Sequence, residues 1–192
     1  QNVVRTWDRT GGTMLGTSRT NPYDPKNDQS KKVLNNIDRL GLDAAVAIGG
    51  EDTLGVASKL AQQGVSVVAI PKTIDKDLWG TDYMLGFETA LNVITEEIDR
   101  LRTTAGSHKR IFVVETMGRS AGWLAMSIGQ AAGTTITLIP EEFEQHSTVQ
   151  SIVDVLEGAI LKRTVLGRCD GVAVIAEGLA YRLGDRAELE RL

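Results

Sequence analysis

The sequence predicts an α/β fold: a mainly parallel sheet with helices on both faces, in a Rossmann-like three-layer arrangement. Three observations carry that expectation. Short β-branched apolar runs alternate with amphipathic stretches along the whole chain. Most of those runs are continuous rather than alternating, the pattern of strands covered on both faces. The strand-helix-strand repeats have short connections, which implies right-handed crossovers and a parallel sheet.

The elements follow in order. DAAVAI (Asp43 to Ile48), VSVVAI (Val65 to Ile70), IFVVET (Ile111 to Thr116), TITLIP (Thr135 to Pro140) and GVAVIAE (Gly171 to Glu177) read as strands bounded by Gly or Pro. Val33, Leu34, Ile37 and Leu40 recur at helical spacing in a first helix. Leu91, Ile94, Ile98 and Leu101 do so in the longest, from about Gly86 to Thr104. Ile152, Val155, Leu156, Ala159 and Ile160 mark the last helix, with Ser147 as its expected N-cap. With no linker, repeat or low-complexity tract, residues 1–192 are expected to form a single α/β domain.

Composition narrows the function classes. The chain carries 21 basic and 25 acidic side chains, a net charge of −4, with 42% hydrophobic residues, which suits a folded chain rather than a disordered one. The mildly acidic balance argues against nucleic acid or an anionic membrane surface as main partner. A single cysteine, Cys169, excludes an internal disulfide and fits a reducing compartment, so a cytoplasmic location is expected. No apolar run approaches the roughly 20 residues of a membrane helix. The chain opens on QNVVRTWDRT without an initiator Met and ends on DRAELERL, which reads as the start of a helix. It is expected to be a piece of something longer.

In such sheets chemistry collects beyond the carboxyl ends of the strands, and three segments there stand out. IGGEDTLG (Ile48 to Gly55) follows a strand and opens a helix. Gly49 and Gly50 would let the backbone turn tightly and approach a ligand, and the helix start suits phosphate. Glu51 and Asp52 would repel a bare phosphate, which a divalent metal held between carboxylate and phosphate oxygens resolves. The alternative is an acidic first turn that only stabilises the helix. IPKTIDKDLWGTD (Ile70 to Asp82) is long for a strand-to-helix loop and crowded with charge: Lys72, Asp75, Lys76, Asp77 and Asp82. A carboxylate there could take a proton from a hydroxyl while Lys72 stabilises a phosphoryl group. A solvated, salt-bridged loop is the alternative. In ETMGRSAGW (Glu115 to Trp123), Gly118 permits an unusual backbone angle and Arg119, placed at a helix start, offers a planar fork for phosphate or carboxylate. An ordinary ion-paired arginine is the alternative. Arg110 precedes the strand at its far end, where it could reach a neighbouring subunit's cleft rather than its own; a solvated strand flank is the alternative. His108 and His146 read as surface residues, Cys169 as structural, and Trp7, Trp79 and Trp123 as packing residues rather than a binding platform.

In their order and spacing these segments resemble the phosphofructokinase family. The residues carrying the resemblance are GGTMLGTSRT (Gly11 to Thr20), GGEDT (Gly49 to Thr53), PKTIDKD (Pro71 to Asp77), SHKRIFVVETMGR (Ser107 to Arg119) and IAEG (Ile175 to Gly178). The resemblance runs through essentially the whole chain. It implies magnesium-assisted phosphoryl transfer to the 1-hydroxyl of fructose 6-phosphate, with Asp75 as general base. It implies that Thr73, Ile74, Asp75, Met117, Gly118 and Arg119 line the sugar and that Glu177 binds a sugar hydroxyl. Arg110 would reach the phosphate of a neighbouring subunit's substrate, which makes a homo-oligomer expected. Glu51 stands at the family's metal-ligand aspartate, with Asp77 in the same acidic cluster.

The resemblance also bears on the phosphoryl donor. ATP-using members similar to the bacterial enzyme have glycine where Asp52 stands; pyrophosphate-using members have an aspartate there and a lysine at the place of Lys72. Several ATP-using members also have arginine where Thr10 precedes Gly-Gly-Thr. Pyrophosphate is therefore the expected donor, since Asp52 would repel a nucleotide's α-phosphate. Lys76 replaces the usual asparagine, and a cation beside Asp75 should lower its pKa. The family's first strand with its glycine-rich phosphate loop, and its second half, are expected to be missing, leaving the piece inactive alone. An ATP-dependent 6-phosphofructokinase and a non-catalytic regulatory subunit are the competing expectations.

Overall fold

The computed structural model of the chain describes residues 4–184, so the helix start expected in DRAELERL lies outside the described residues. Helix α1 (Ser30–Leu40) ends on Gly41, whose left-handed backbone closes the last turn. Strand β1 (Ala45–Gly49) leads into α2 (Glu51–Gln62), and β2 (Val67–Thr73) follows. The two-residue β3 (Leu85–Gly86) precedes the longest helix, α3 (Phe87–His108), which runs four residues beyond the expected end and stops at left-handed Lys109. Then come β4 (Ile111–Thr116), α4 (Trp123–Ala132), β5 (Ile136–Leu138), α5 (Val149–Val165) and β6 (Gly171–Ala176).

The strands form two three-stranded sheets, ordered β1-β2-β3 and β4-β6-β5. β2 and β3 pair in parallel, as do β4 with β6 and β5 with β6. Three expectations need correcting. β2 carries Pro71, Lys72 and Thr73 as strand, because Lys72 and Thr73 pair opposite Leu85 and Gly86 of β3. The loop expected from Ile70 therefore begins only after Thr73. The N-cap of α5 is Thr148, one residue beyond Ser147, and its hydroxyl accepts the Ser151 N–H at 3.1 Å. α4 begins at Trp123, so Arg119 sits in the loop before it rather than at a helix start.

The described residues divide into two compact units, the boundary passing through β1, α2 and β2. The first holds residues 4–46 and 55–68. In it the Tyr23 hydroxyl donates to Gln63 Oε1 at 2.8 Å, and Lys59 Nζ lies 5.2 Å from the centre of the same ring. The second holds residues 47–54 and 69–184. Its core joins Phe87 and Ile98 of α3, Leu124 and Ile128 of α4, and Val172 and Val174 of β6. β6 is the central strand of its sheet and is buried along almost its whole length, as a continuous apolar run predicts. β1, β2 and β4 instead leave Val46, Ile48, Val68 and Val113 more than half exposed. Among the described residues no helix is long and apolar enough to cross a membrane.

The second unit's core depends on α4 more than on its exposed face. Leu124→Ala, at a side chain with no exposed surface, should cost about 2–5 kcal/mol in urea unfolding. Met126→Ala, two residues on and 39% exposed, should cost far less.

Candidate active site

Parallel register sets the site. β4 and β6 pair from Ile111 opposite Gly171 to Thr116 opposite Ala176, so both strands end at one level and the segments that follow meet there. One oxygen of Glu177 (Oε1) accepts the backbone N–H of Gly118 at 2.9 Å and of Arg119 at 2.7 Å. Two bonds to a charged acceptor hold this loop in an otherwise unfavourable shape. Gly118 has φ 150° and a β-carbon on it would lie 2.6 Å from the Ala121 carbonyl oxygen; Arg119 has φ 53°. Only glycine fits the first position without displacing backbone.

The loop aims Arg119 at the head of α2. Its Nη1 lies 2.9 Å from Glu51 Oε2 and its Nη2 lies 3.1 Å from Asp52 Oδ2. One guanidinium thus spans two carboxylates. With Gly50, Thr53 and Asp75 these three residues line a cleft of about 250 Å³. Gly49 is needed for packing rather than for a turn: a β-carbon would sit 2.6 Å from that of Thr53, whereas Gly50 has room for one. Neither has a positive φ.

Across the cleft, the Thr73 hydroxyl donates to Asp75 Oδ2 at 3.0 Å and accepts the Asp75 N–H at 3.2 Å. This fixes the carboxylate just past the end of β2. Burial raises the Asp75 pKa, opposed by the Thr73 hydroxyl and Arg119 and aided by Asp77 and Glu177; the net effect is a pKa above its ordinary value. The expectation that Lys76 lowers it is overturned. Lys76 has φ 56° and sends its ammonium over two aromatic rings, 5.0 Å from the centre of Phe87 and 5.7 Å from that of Trp123. Arg119 is the cation that acts on Asp75. For Arg119 itself, burial works to lower the pKa, but Asp52, Glu51 and Asp77 outweigh it and hold it above its ordinary value.

Other expected site residues are placed as follows. Lys72 is exposed on β2 opposite Leu85 and does not line the cleft. The Ile74 side chain packs against the core and does not line the cleft. Met117 is 63% exposed beside Gly118. Arg110 is exposed at the start of β4, six strand residues from Thr116 and so about 20 Å from it. Trp79 and Trp123 are not packing residues: Trp79 is fully exposed and Trp123 is half exposed. Together with Lys76, Asp77, Asp82 and Tyr83 they line a second hollow of about 590 Å³. Cys169 is exposed and free.

Two features escaped the sequence reading. Asp77 Oδ1 and the Thr116 hydroxyl are buried with no hydrogen-bond partner among the described residues, an uncommon state for buried polar atoms. Asp77 is among the charged residues the sequence singles out, but nothing in it marks one of its oxygens as buried. Nothing in the sequence marks Thr116, whose burial follows from the pairing of β4 with β6.

Comparison with known proteins bears on the fold and the family. A family model described as Phosphofructokinase matches residues 1–190. The chain is 51% identical over 169 residues to a pyrophosphate–fructose 6-phosphate 1-phosphotransferase of Dictyoglomus thermophilum, covering 88% of this chain and 46% of that protein. It is 42% identical over 174 residues to ATP-dependent 6-phosphofructokinase 3 of Bacteroides thetaiotaomicron, covering 88% of this chain and 50% of the other. The solved structure of phosphofructokinase from Saccharomyces cerevisiae superposes with a TM-score of 0.74 at 30% identity, over 98% of this chain and 28% of that one. The chain spans about half the length of the curated relatives it matches.

The raised Asp75 pKa has a consequence for stability. The folded protein holds that proton more tightly than the unfolded chain, so stability falls as pH rises from the ordinary carboxylate value through the raised one. Asp75→Asn should be more stable than the parent above that window and equal to it at lower pH, as read from urea midpoints across a pH series.

Proposed function

The chain belongs to the phosphofructokinase family, and from that premise we propose that the complete protein is a pyrophosphate–fructose 6-phosphate 1-phosphotransferase. It would move a phosphoryl group from pyrophosphate to the 1-hydroxyl of fructose 6-phosphate, giving fructose 1,6-bisphosphate in glycolysis, with magnesium as cofactor. The observation that carries the donor choice is Asp52. Its side chain is 90% exposed on the wall of the cleft that Asp75 shares, where a nucleotide's α-phosphate would meet a carboxylate. The name of the Dictyoglomus relative supports the same donor.

In this reading Asp75 accepts the proton of the 1-hydroxyl, helped by the environment that raises its pKa toward the working range of a base. The freed oxygen forms a bond to phosphorus as the bridging P–O bond of pyrophosphate breaks, and inorganic phosphate leaves. Arg119 neutralises charge on the transferred group from within the cleft. Lys72 would reach the leaving phosphate on its flexible stem. Glu177 would act on the sugar mainly by holding the Gly118–Arg119 loop in place.

The carboxylates of Glu51 and Asp52 suit a hard divalent cation. They already face one cationic group in common, the Arg119 guanidinium, and magnesium binds through one or two carboxylates plus substrate phosphates. Bound there, magnesium would offset charge on the pyrophosphate oxygens. Sugar-phosphate contacts from the remaining half of the protein, and from Arg110 of a second copy in a homo-oligomer, would complete the site. A cytoplasmic setting accords with free Cys169.

Two experiments on the full-length protein test this. With fructose 6-phosphate and magnesium, the parent should turn over with pyrophosphate and not ATP, and Asp52→Gly should lose that preference. Turnover with ATP alone would favour the activity named for the Bacteroides relative; silence with both would favour a regulatory subunit. Thr73→Val removes a hydrogen bond that lowers the Asp75 pKa, so the acid limb of kcat/KM should move to higher pH. Asp75→Asn should lower kcat by about 10²–10⁴-fold.

A further inference from the structure

Arg119 is fixed from its backbone outward, and what it is fixed upon is the pair of carboxylates read above as the metal side of the cleft. Glu177 holds its N–H at 2.7 Å. Gly118 supplies the preceding turn, and the guanidinium places one arm on Glu51 at 2.9 Å and the other on Asp52 at 3.1 Å. A solvated arginine at the end of a free stem would have no reason to divide its two terminal nitrogens between two residues. Yet the pairs are open to water, the Arg119, Glu51 and Asp52 side chains being 44%, 68% and 90% exposed. Such pairs are weak and exchangeable. The arrangement is therefore precise in position and low in cost to open.

Two cations cannot both take Glu51 Oε2 at close range without strong mutual repulsion. A divalent ion entering alone must displace the guanidinium from Glu51, leaving Asp52, Asp75 and Asp77 to face both cations, and brings no anion in exchange. A divalent ion arriving with a diphosphate brings one, and a guanidinium binds phosphate oxygens as a two-armed fork. We propose that Arg119 is the resident counter-ion of this cleft, which holds Glu51 and Asp52 until metal and diphosphate arrive together. Free divalent cation then binds weakly, the metal–diphosphate complex binds strongly, and the released guanidinium turns to the phosphoryl oxygens. This proposal rests on the reading of Glu51 as a metal ligand.

The test uses Mn²⁺ as probe on the full-length protein without sugar, its free concentration followed by electron paramagnetic resonance. In the absence of other ligands, Arg119→Gln should bind Mn²⁺ about three- to tenfold more tightly than the parent, the range expected from removing a weak exposed pair and its positive charge. Added inorganic pyrophosphate should tighten Mn²⁺ binding in the parent and do so much less in Arg119→Gln. Arg119→Lys, which keeps the charge without the fork, should fall between the two and serves if the glutamine variant does not fold. Unchanged or weaker Mn²⁺ binding in both variants overturns the proposal. Glu51→Gln separates the two ideas. Loss of Mn²⁺ binding there, without tightening in the Arg119 variants, sinks the counter-ion role alone; retained Mn²⁺ binding in Glu51→Gln sinks the metal-ligand reading and the proposal with it.

Discussion

Everything that the site does hangs on one oxygen atom. Glu177 Oε1 takes the N–H groups of Gly118 and Arg119, and those two residues adopt backbone angles that an ordinary loop would avoid. Without that acceptor the loop would relax, and the guanidinium 58 residues away in sequence from Glu177 would no longer span Glu51 and Asp52. The acceptor is available because β4 and β6 pair in parallel and end level, at Thr116 and Ala176. A backbone register thus becomes a side-chain aim, and a side-chain aim becomes the wall of a cleft.

The charges of the cleft follow from the same placement. Glu51, Asp52, Asp75, Asp77 and Glu177 converge around Arg119, while the nearby Lys76 is drawn off by Phe87 and Trp123. Asp75 therefore lives among like charges and partial burial, with the Thr73 hydroxyl as its direct hydrogen-bonding partner. A carboxylate in that setting holds its proton longer than one in water. The lysine next to it in sequence is the wrong place to look for its electrostatics. In this site a neighbour is defined by where a side chain lands.

That distinction explains what the sequence could tell. Five of the six described strands were legible because most of their apolar runs are continuous and end on Gly, Pro or charge; the two-residue β3 was not. α3 was legible because Leu91, Ile94, Ile98 and Leu101 keep one helical face. The three site segments were legible because they follow strands and concentrate charge and glycine. The end of β2 was not, since Pro71, Lys72 and Thr73 look like loop and become strand only through pairing with a two-residue partner. The course of Lys76 was not, since Trp123, one of its two ring partners, lies 47 positions further along the chain. The Glu177 clamp was not, because parallel register is a property of two strands together and leaves no local mark.

The structure also changes how Asp52 acts in the proposed donor choice. Read from sequence, Asp52 excludes a nucleotide by bare repulsion of its α-phosphate. In the folded protein that carboxylate is paired with Arg119, so part of its charge is already answered. Its exclusion of a longer donor then has two sources: it fills space beside the cleft, and it keeps one arm of the guanidinium away from an α-phosphate that could otherwise use it. A glycine at this position would open the space and release that arm in one step. Donor choice in this reading is a competition between a carboxylate and a phosphate for the same guanidinium, and Asp52 matters as much for what it holds as for what it repels.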